Sequence, residues 1–211
     1  MSLPTISESR APKGRRAAAL IATAAAAGLL LTGCGSSGSD DAKGLLLSGP
    51  NTNIVVTIPA GWHQVINAAN PMIPEMVAPT TCMGSDEIAC SSGLARIATI
   101  TAKNIQEATN AVQAAVTGAT GVTDVTTVSK GPGKLGKRDG FLHRFTFKNP
   151  GATLTSEIAA VPSGPTTPDK EGNLEYSVVL VWISNKPDAP KVDDIDTIVN
   201  STLVHGGVSA P

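Results

Sequence analysis

Aromatic side chains are scarce in this chain: two Trp, one Tyr and three Phe serve 211 residues. Its core must therefore be built from Val, Ile, Leu and Ala. It also lacks an excess of basic charge, with 16 Lys and Arg against 17 Asp and Glu. That balance excludes the cationic face on which nucleic acid binding depends. Its three histidines, His63, His143 and His205, lie far apart, and no His clusters beside the cysteines, so a four-ligand metal site has no basis in sequence. No Ser stands in a Gly-x-Ser-x-Gly nucleophile elbow, the signature of one large hydrolase class. Nor is any apolar run suited to cross ~30 Å of hydrocarbon as a permanent helix. The best candidate, Ala17 to Leu31, is short and mostly Ala and Leu.

What is present starts at the N-terminus. Arg10, Lys13, Arg15 and Arg16 precede that apolar stretch, and Leu31-Thr32-Gly33-Cys34 ends it. A basic flank, a short apolar segment and a small-residue cleavage site together make an export signal, whose positive flank stays in the cytoplasm. Leu, Thr, Gly and Cys in that order resembles the lipobox of bacterial lipoproteins. The resemblance implies cleavage between Gly33 and Cys34 and a diacylglycerol thioether on the Cys34 thiol. Each buried methylene adds about 0.8 kcal/mol, so two or three acyl chains hold a protein on a membrane essentially permanently.

Residues 1–33 are thus read as a signal peptide and 34–51 as a lipidated tether. The tether's small polar stretch, Gly35 to Asp41, is flexible, and the whole has a root-mean-square reach of roughly 20 Å. The expected location is the outer face of the cell membrane, which is itself a partner through acylated Cys34. Arg15-Arg16 leaves general and twin-arginine export both open. Leu45-Leu46-Leu47 interrupts the tether and reads as a first short strand or packing segment, the alternative being a patch that touches the membrane.

Removing residues 1–33 from 211 leaves 178, enough for one domain, placed at 52–206 with a short tail at 207–211. The signal takes four of the 16 basic residues and one of the 17 acidic ones, leaving 12 against 16, a net charge of −4. Cys82 and Cys90 are expected to pair, because a Cys pair outside the cytoplasm is normally oxidised. The seven-residue spacer, Met83 to Ala89, lets their Cα atoms approach to ~5.5 Å. Closing so small a loop stabilises by at most about 2.5 kcal/mol.

Asn53 to Ile58 is rich in β-branched residues and stops at Pro59 and Gly61, so it reads as a strand, with Trp62 to Ile66 as its hairpin partner. Asn70 to Cys90 holds Pro71, Pro74 and Pro79 and reads as a long loop. Leu94 to Ala102 is a strand, and Ile105 to Val116 follows as an amphipathic helix, with Ile105, Ala108, Val112 and Ala115 or Val116 at helical spacing. Val122 to Val128 alternates as a half-buried strand. Phe141, His143, Phe145 and Phe147 share one face of the next strand, and Thr153 to Val161 returns after an Asn149-Pro150-Gly151 turn. Leu174 to Ile183 is apolar on both faces and is expected at the centre of the sheet.

Val192 to Val204 closes the domain as a helix with Val192, Ile195, Val199 and Leu203 on one stripe. Asp193, Asp194 and Asp196 in its first turn favour the positive end of the helix dipole. Together these elements make an α+β fold, a mainly antiparallel sheet with two packed helices.

Ile58-Pro59-Ala60-Gly61-Trp62, the late apolar strand Tyr176 to Ile183 and a closing helix of the type DDIDTIVNSTLV occur in this order. Over roughly Asn51 to Val204 the chain resembles the LpqN/LpqT family of actinobacterial lipoproteins. That resemblance implies a PsbP-like α/β sandwich, no enzymatic residues and an accessory role in the envelope. Some members are linked to trafficking of mycolic-acid glycolipids or to protein partners.

Two motifs invite a sharper reading and do not sustain it. Gly131, Gly133 and Gly136 match Gly-x-Gly-x-x-Gly, and Gly131, Gly136 and Lys137 match Gly-x-x-x-x-Gly-Lys. Both patterns cradle phosphate only between a strand and a helix N-terminus, whereas here a strand follows, so a β-hairpin is expected. Asp193, Asp194 and Asp196 lack the Gly and bidentate Glu of a calcium loop. The sequon Asn200-Ser201-Thr202 falls inside the expected closing helix.

No cofactor, metal or catalytic residue is expected. The function expected is that of a non-enzymatic binding or accessory lipoprotein of the envelope. A groove lined by Phe141, Phe145 and Phe147, or by Tyr176 and Trp182, would take an envelope lipid. The alternative is an adapter for membrane or cell-wall proteins. A hydrolase would need a Ser or Asp brought to within ~3 Å of His63 or His143.

Overall fold

Alternating β-branched residues and two amphipathic stretches give ten strands and two helices among the described residues. The computed structural model describes residues 44–49, 52–65, 76–79, 91–164 and 167–205. Gly33, Cys34, Cys82 and Cys90, with the cleavage, lipidation and disulfide expected there, lie outside them. The order is β1 Leu45–Ser48, β2 Ile54–Ile58, β3 Trp62–Val65, β4 Met76–Pro79, β5 Gly93–Ala102, α1 Ile105–Thr117 and β6 Thr123–Leu135. Then follow β7 Arg138–Asn149, β8 Ala152–Pro162, β9 Leu174–Ser184, α2 Asp193–Asn200 and β10 Leu203–Val204.

Seven strands form an antiparallel sheet in the order β3-β4-β5-β9-β8-β7-β6. β9 occupies its middle, as its two-sided apolar pattern requires: Val178, Val179 and Val181 are all at most 1% exposed. The architecture is α+β, with two helices and antiparallel sheets. Side chains alternate across the large sheet. One face carries Phe145, Phe147, Ile158, Tyr176 and Val178 against α1. The other carries Ile97, Ala159, Val179, Val181 and Ile183 against α2 and a second sheet.

That second sheet, β1-β2-β10, corrects the expected pairing of β2. β2 pairs with Leu45–Ser48 and with Leu203 and Val204, whereas β3 pairs with β4 in the large sheet. The bend at Pro59 to Gly61, where Gly61 takes a φ of 89°, hands the chain from one sheet to the other instead of folding it back as a hairpin. The strand reading of Leu45-Leu46-Leu47 holds, since Leu47 is buried while Leu46 stays 67% exposed. The folded region therefore begins before residue 52, inside the stretch assigned to the tether. A further strand, β4, lies within the expected Asn70 to Cys90 loop.

The closing helix is shorter than its apolar spacing suggests. It ends at Asn200, with Ser201 as its C-cap, and Leu203 turns into β10 with 59% exposure. Its buried stripe is Ile195, Ile198 and Val199, and Val192 and Leu203 are not part of it. Ser201 stops the helix by serving β2: its Oγ accepts from Thr57 N at 2.9 Å. Only Asn200 of the sequon is helical.

The Gly131 to Lys137 motif is a hairpin. Gly131, Gly133 and Lys134 lie within β6, and the turn falls at Gly136, whose φ is 60°. A Cβ there would stand 1.9 Å from the Thr202 carbonyl oxygen, so the tip meets the end of α2 only without a side chain. β6 runs on to Leu135 and is exposed along most of its length, not half-buried over Val122 to Val128.

α1 starts at Asn104, whose side chain accepts from Glu107 N at 2.8 Å, while Glu107 accepts from Lys103 N. This reciprocal cap satisfies donors that the helix itself cannot. α2 is fixed by charge. Arg144 on β7 donates to Glu157 of β8 at 2.6 Å and also bonds Asp196 of α2. Glu157 is buried, and burial pushes its carboxyl up against the downward pull of Arg144. Asp194 accepts from Lys191 N at 3.1 Å, so the acidic first turn serves α2 and its fastening to the sheet.

Candidate functional site

The two halves of α1 meet the sheet differently. In the N-terminal half, Ala108 and Thr109 are fully buried over Phe145, Ile158 and Tyr176. In the C-terminal half the helix offers Ala111 and Ala115, one turn apart, with Val112 and Val116 beside them, and Ala119 follows just past the Gly118 cap. A methyl group reaches too short a distance to fill the space between helix and sheet, and neighbouring atoms cannot close a gap they do not touch. The result is an apolar groove of about 470 Å³. Its size lies within the range of small-molecule sites.

The floor of the groove is the sheet face that alternation turns toward α1. β5 contributes Leu94, Arg96, Ala98 and Ile100, and β9 contributes Leu180 and Trp182. Antiparallel register sets Leu94 opposite Trp182 and Arg96 opposite Leu180. Phe147 and Leu154 close the far side. Arg96 is the one charged residue among those lining the groove. Its Nε is buried without a hydrogen-bond partner, and burial lowers its affinity for the proton.

Of the side chains expected to line a groove, the structure brings Phe147 and Trp182 to it. Phe145 and Tyr176 are packed beneath the first half of α1, at 0% and 4% exposure, and Phe141 does not line it. Sequence reasoning missed Arg96 and the alanine repeat, of which it placed only Ala115 on the apolar side of the helix. Both have a visible signal: Arg96 is the lone charge in Leu94-Ala95-Arg96-Ile97-Ala98, and Ala111, Ala115 and Ala119 recur every four residues.

The histidines sit in three parts of the fold: His63 on β3, His143 on β7 and His205 directly after β10. His143 is buried, tilted against the Phe145 ring at a centroid distance of 5.4 Å. Its Nε2 stands 3.4 Å from Thr127 Oγ1, and its Nδ1 has no partner. Burial, reinforced by Lys130, lowers its pKa. Among the described residues no Ser hydroxyl or Asp carboxylate bonds it. Among the described residues no cluster of His, Cys, Asp and Glu could hold a metal ion. Among them, too, no helix is long and apolar enough to cross a membrane.

No known protein family matches the chain, and no curated protein does either. Several solved structures are similar. A Bacteroides thetaiotaomicron protein shares 10% identity at a TM-score of 0.43, covering 78% of this chain and 49% of that one. The chain thus spans about half the length of that protein. LpqN of Mycobacterium tuberculosis, involved in cell envelope biogenesis there, shares 11% identity at a TM-score of 0.47, over 75% of this chain and 85% of that one. Cyanobacterial PsbP from Synechocystis shares 10% at a TM-score of 0.46, over 82% of this chain and 99% of that one. These likenesses carry no residue role over to this chain.

Proposed function

We propose that this chain is an exported lipoprotein of the cell envelope, anchored by acylated Cys34, that works by binding and not by catalysis. The groove beneath the second half of α1 receives the acyl chain of an envelope lipid. What carries this reading is the groove itself, an apolar space of about 470 Å³ left open between helix and sheet. The opposite sheet face is covered by α2 and the small sheet. Apolar walls with few polar groups suit a chain that contributes about 0.8 kcal/mol per methylene removed from water. The export signal ending in Leu31-Thr32-Gly33-Cys34 supports a position beside the membrane that supplies such chains.

Two measurements test the proposal. Lipid extracted from the purified protein is expected to contain a co-purifying acyl compound, and Ala115→Trp, which fills the groove, is expected to abolish it while leaving the melting curve unchanged. An equal lipid yield from both proteins would refute the groove as the site. Cys34→Ser is expected to release the protein to the aqueous phase in detergent partitioning, and its retention with the detergent would refute the anchor.

A further inference from the structure

Arg96 is misplaced if the groove serves only to hold hydrocarbon. It stands on β5 between Leu94 and Ala98, facing α1, with Leu180 of β9 and Met76 of β4 as its cross-strand neighbours. Each of those neighbours is apolar, and the helix opposite presents only Ala and Val to the groove. Glu157, Asp196 and Arg144 lie on the other face of the sheet and pair with one another there. Among the described residues the Arg96 guanidinium takes part in no ion pair, and its Nε is buried with no acceptor.

A guanidinium held this way is costly: its Nε edge has lost water and finds no acceptor among the described residues. The planar fork of nitrogen donors matches a carboxylate in two parallel hydrogen bonds. Apolar walls with one placed polar group are also how a pocket fixes the orientation of its ligand.

We propose that the groove selects a single-chain fatty acid in its ionised form, with the carboxylate on Arg96 and the hydrocarbon tail running between Trp182, Leu180 and the alanine side of α1. This rests on the reading of the groove as an acyl site and adds the head group to it. The lone charge supplies the complementarity: a neutral chain of the same length fills the same space but leaves Arg96 unpaired. Charged hydrogen bonds of this kind discriminate by about tenfold or more.

The test uses the full chain in a nonionic detergent at alkaline pH, with two photoreactive probes of equal length: diazirine-labelled dodecanoate and diazirine-labelled dodecan-1-ol. Labelled peptides are read by mass spectrometry. The acid is expected to label the Leu94–Ile100 and Ala111–Val116 segments about tenfold more than the alcohol. Arg96→Met is expected to bring the acid down to the level of the alcohol with alcohol labelling unchanged, and Arg96→Lys to keep part of the preference. Equal labelling by both probes in the unaltered chain overturns the head-group assignment and leaves the acyl groove standing. A preference that survives Arg96→Met overturns it as well. If neither probe labels those segments, the acyl groove itself falls, and the head-group assignment falls with it.

Discussion

The two faces of the seven-stranded sheet are finished to different standards. On the α2 side, Ile97, Val179, Val181, Ile183, Ile195 and Ile198 are all 0% exposed, and the small sheet completes the cover. On the α1 side, only the first half of the helix is seated, over Phe145 and Tyr176, and the second half stands off over a groove. Both faces derive from the same strands, often from adjacent residues: Val179 is sealed on one side while Leu180 lines the groove on the other. The difference teaches that stability is concentrated on one face, which leaves the other free to stay under-packed. Burial of a Val or Ile contributes about 1.5–3 kcal/mol, so the sealed face can hold the domain without help from the groove.

That division can be broken most strongly at the charge cluster of the sealed face. Arg144→Met leaves Glu157 buried without its cation and is expected to cost about 3 kcal/mol at neutral pH, read by urea denaturation. Glu157 already has a raised pKa, with burial as the main cause. Its folded form therefore holds a proton more tightly than its unfolded form. The stability it contributes is complete below about pH 4.3 and is lost as pH rises through the raised folded value. Removing Arg144 raises that value further, so the deficit of the variant should shrink in acid. A deficit that stays constant with pH would show that Glu157 does not depend on Arg144.

A matched pair of insertions sharpens the contrast directly. Ala159 is fully buried on the sealed face and Ala115 borders the groove. Ala159→Leu is expected to cost about 2 kcal/mol through overpacking, whereas Ala115→Leu should change stability by less than about 0.5 kcal/mol. Equal losses at the two sites would mean that the α1 side is as tightly packed as the other.

His143 gives a smaller effect of opposite sign in pH. Burial first, and Lys130 second, hold its pKa below the usual value. The unfolded chain therefore takes up a proton before the folded one does. Stability is complete above about pH 6.5 and falls as pH drops toward the depressed folded value. His143→Leu should flatten that slope in thermal melts between neutral and mildly acid pH. Smallest of all, Leu203→Lys at an exposed position of β10 should shift stability by no more than about 0.5 kcal/mol, since that side chain adds nothing to either core.

The elements that were legible in the sequence are those whose signal is local. β9 shows its central place in an unbroken apolar run, α1 in its spacing of Ile105, Ala108 and Val112, and the β6–β7 hairpin in Gly136 followed by a strand. The partner of β2 was not legible, because β1 and β10 stand at opposite ends of the domain and nothing within Ile54–Ile58 names them. The stop of α2 at Asn200 was obscured in the same way, since Leu203 keeps helical spacing while the backbone is drawn into a strand beside Val55. The candidate site was half legible. Phe147 and Trp182 announce themselves as rings, but Arg96 and three alanines form a groove only once α1 is laid across β5 and β9.

The order of residues alone decided which segments alternate and which spiral, because both periods are properties of neighbouring side chains and need no partner. Assembly in three dimensions decided which strand edges meet and where helix and sheet fail to touch. Such outcomes depend on the summed reach of side chains that lie far apart along the backbone, and an alanine leaves a gap only when the surface facing it comes no closer.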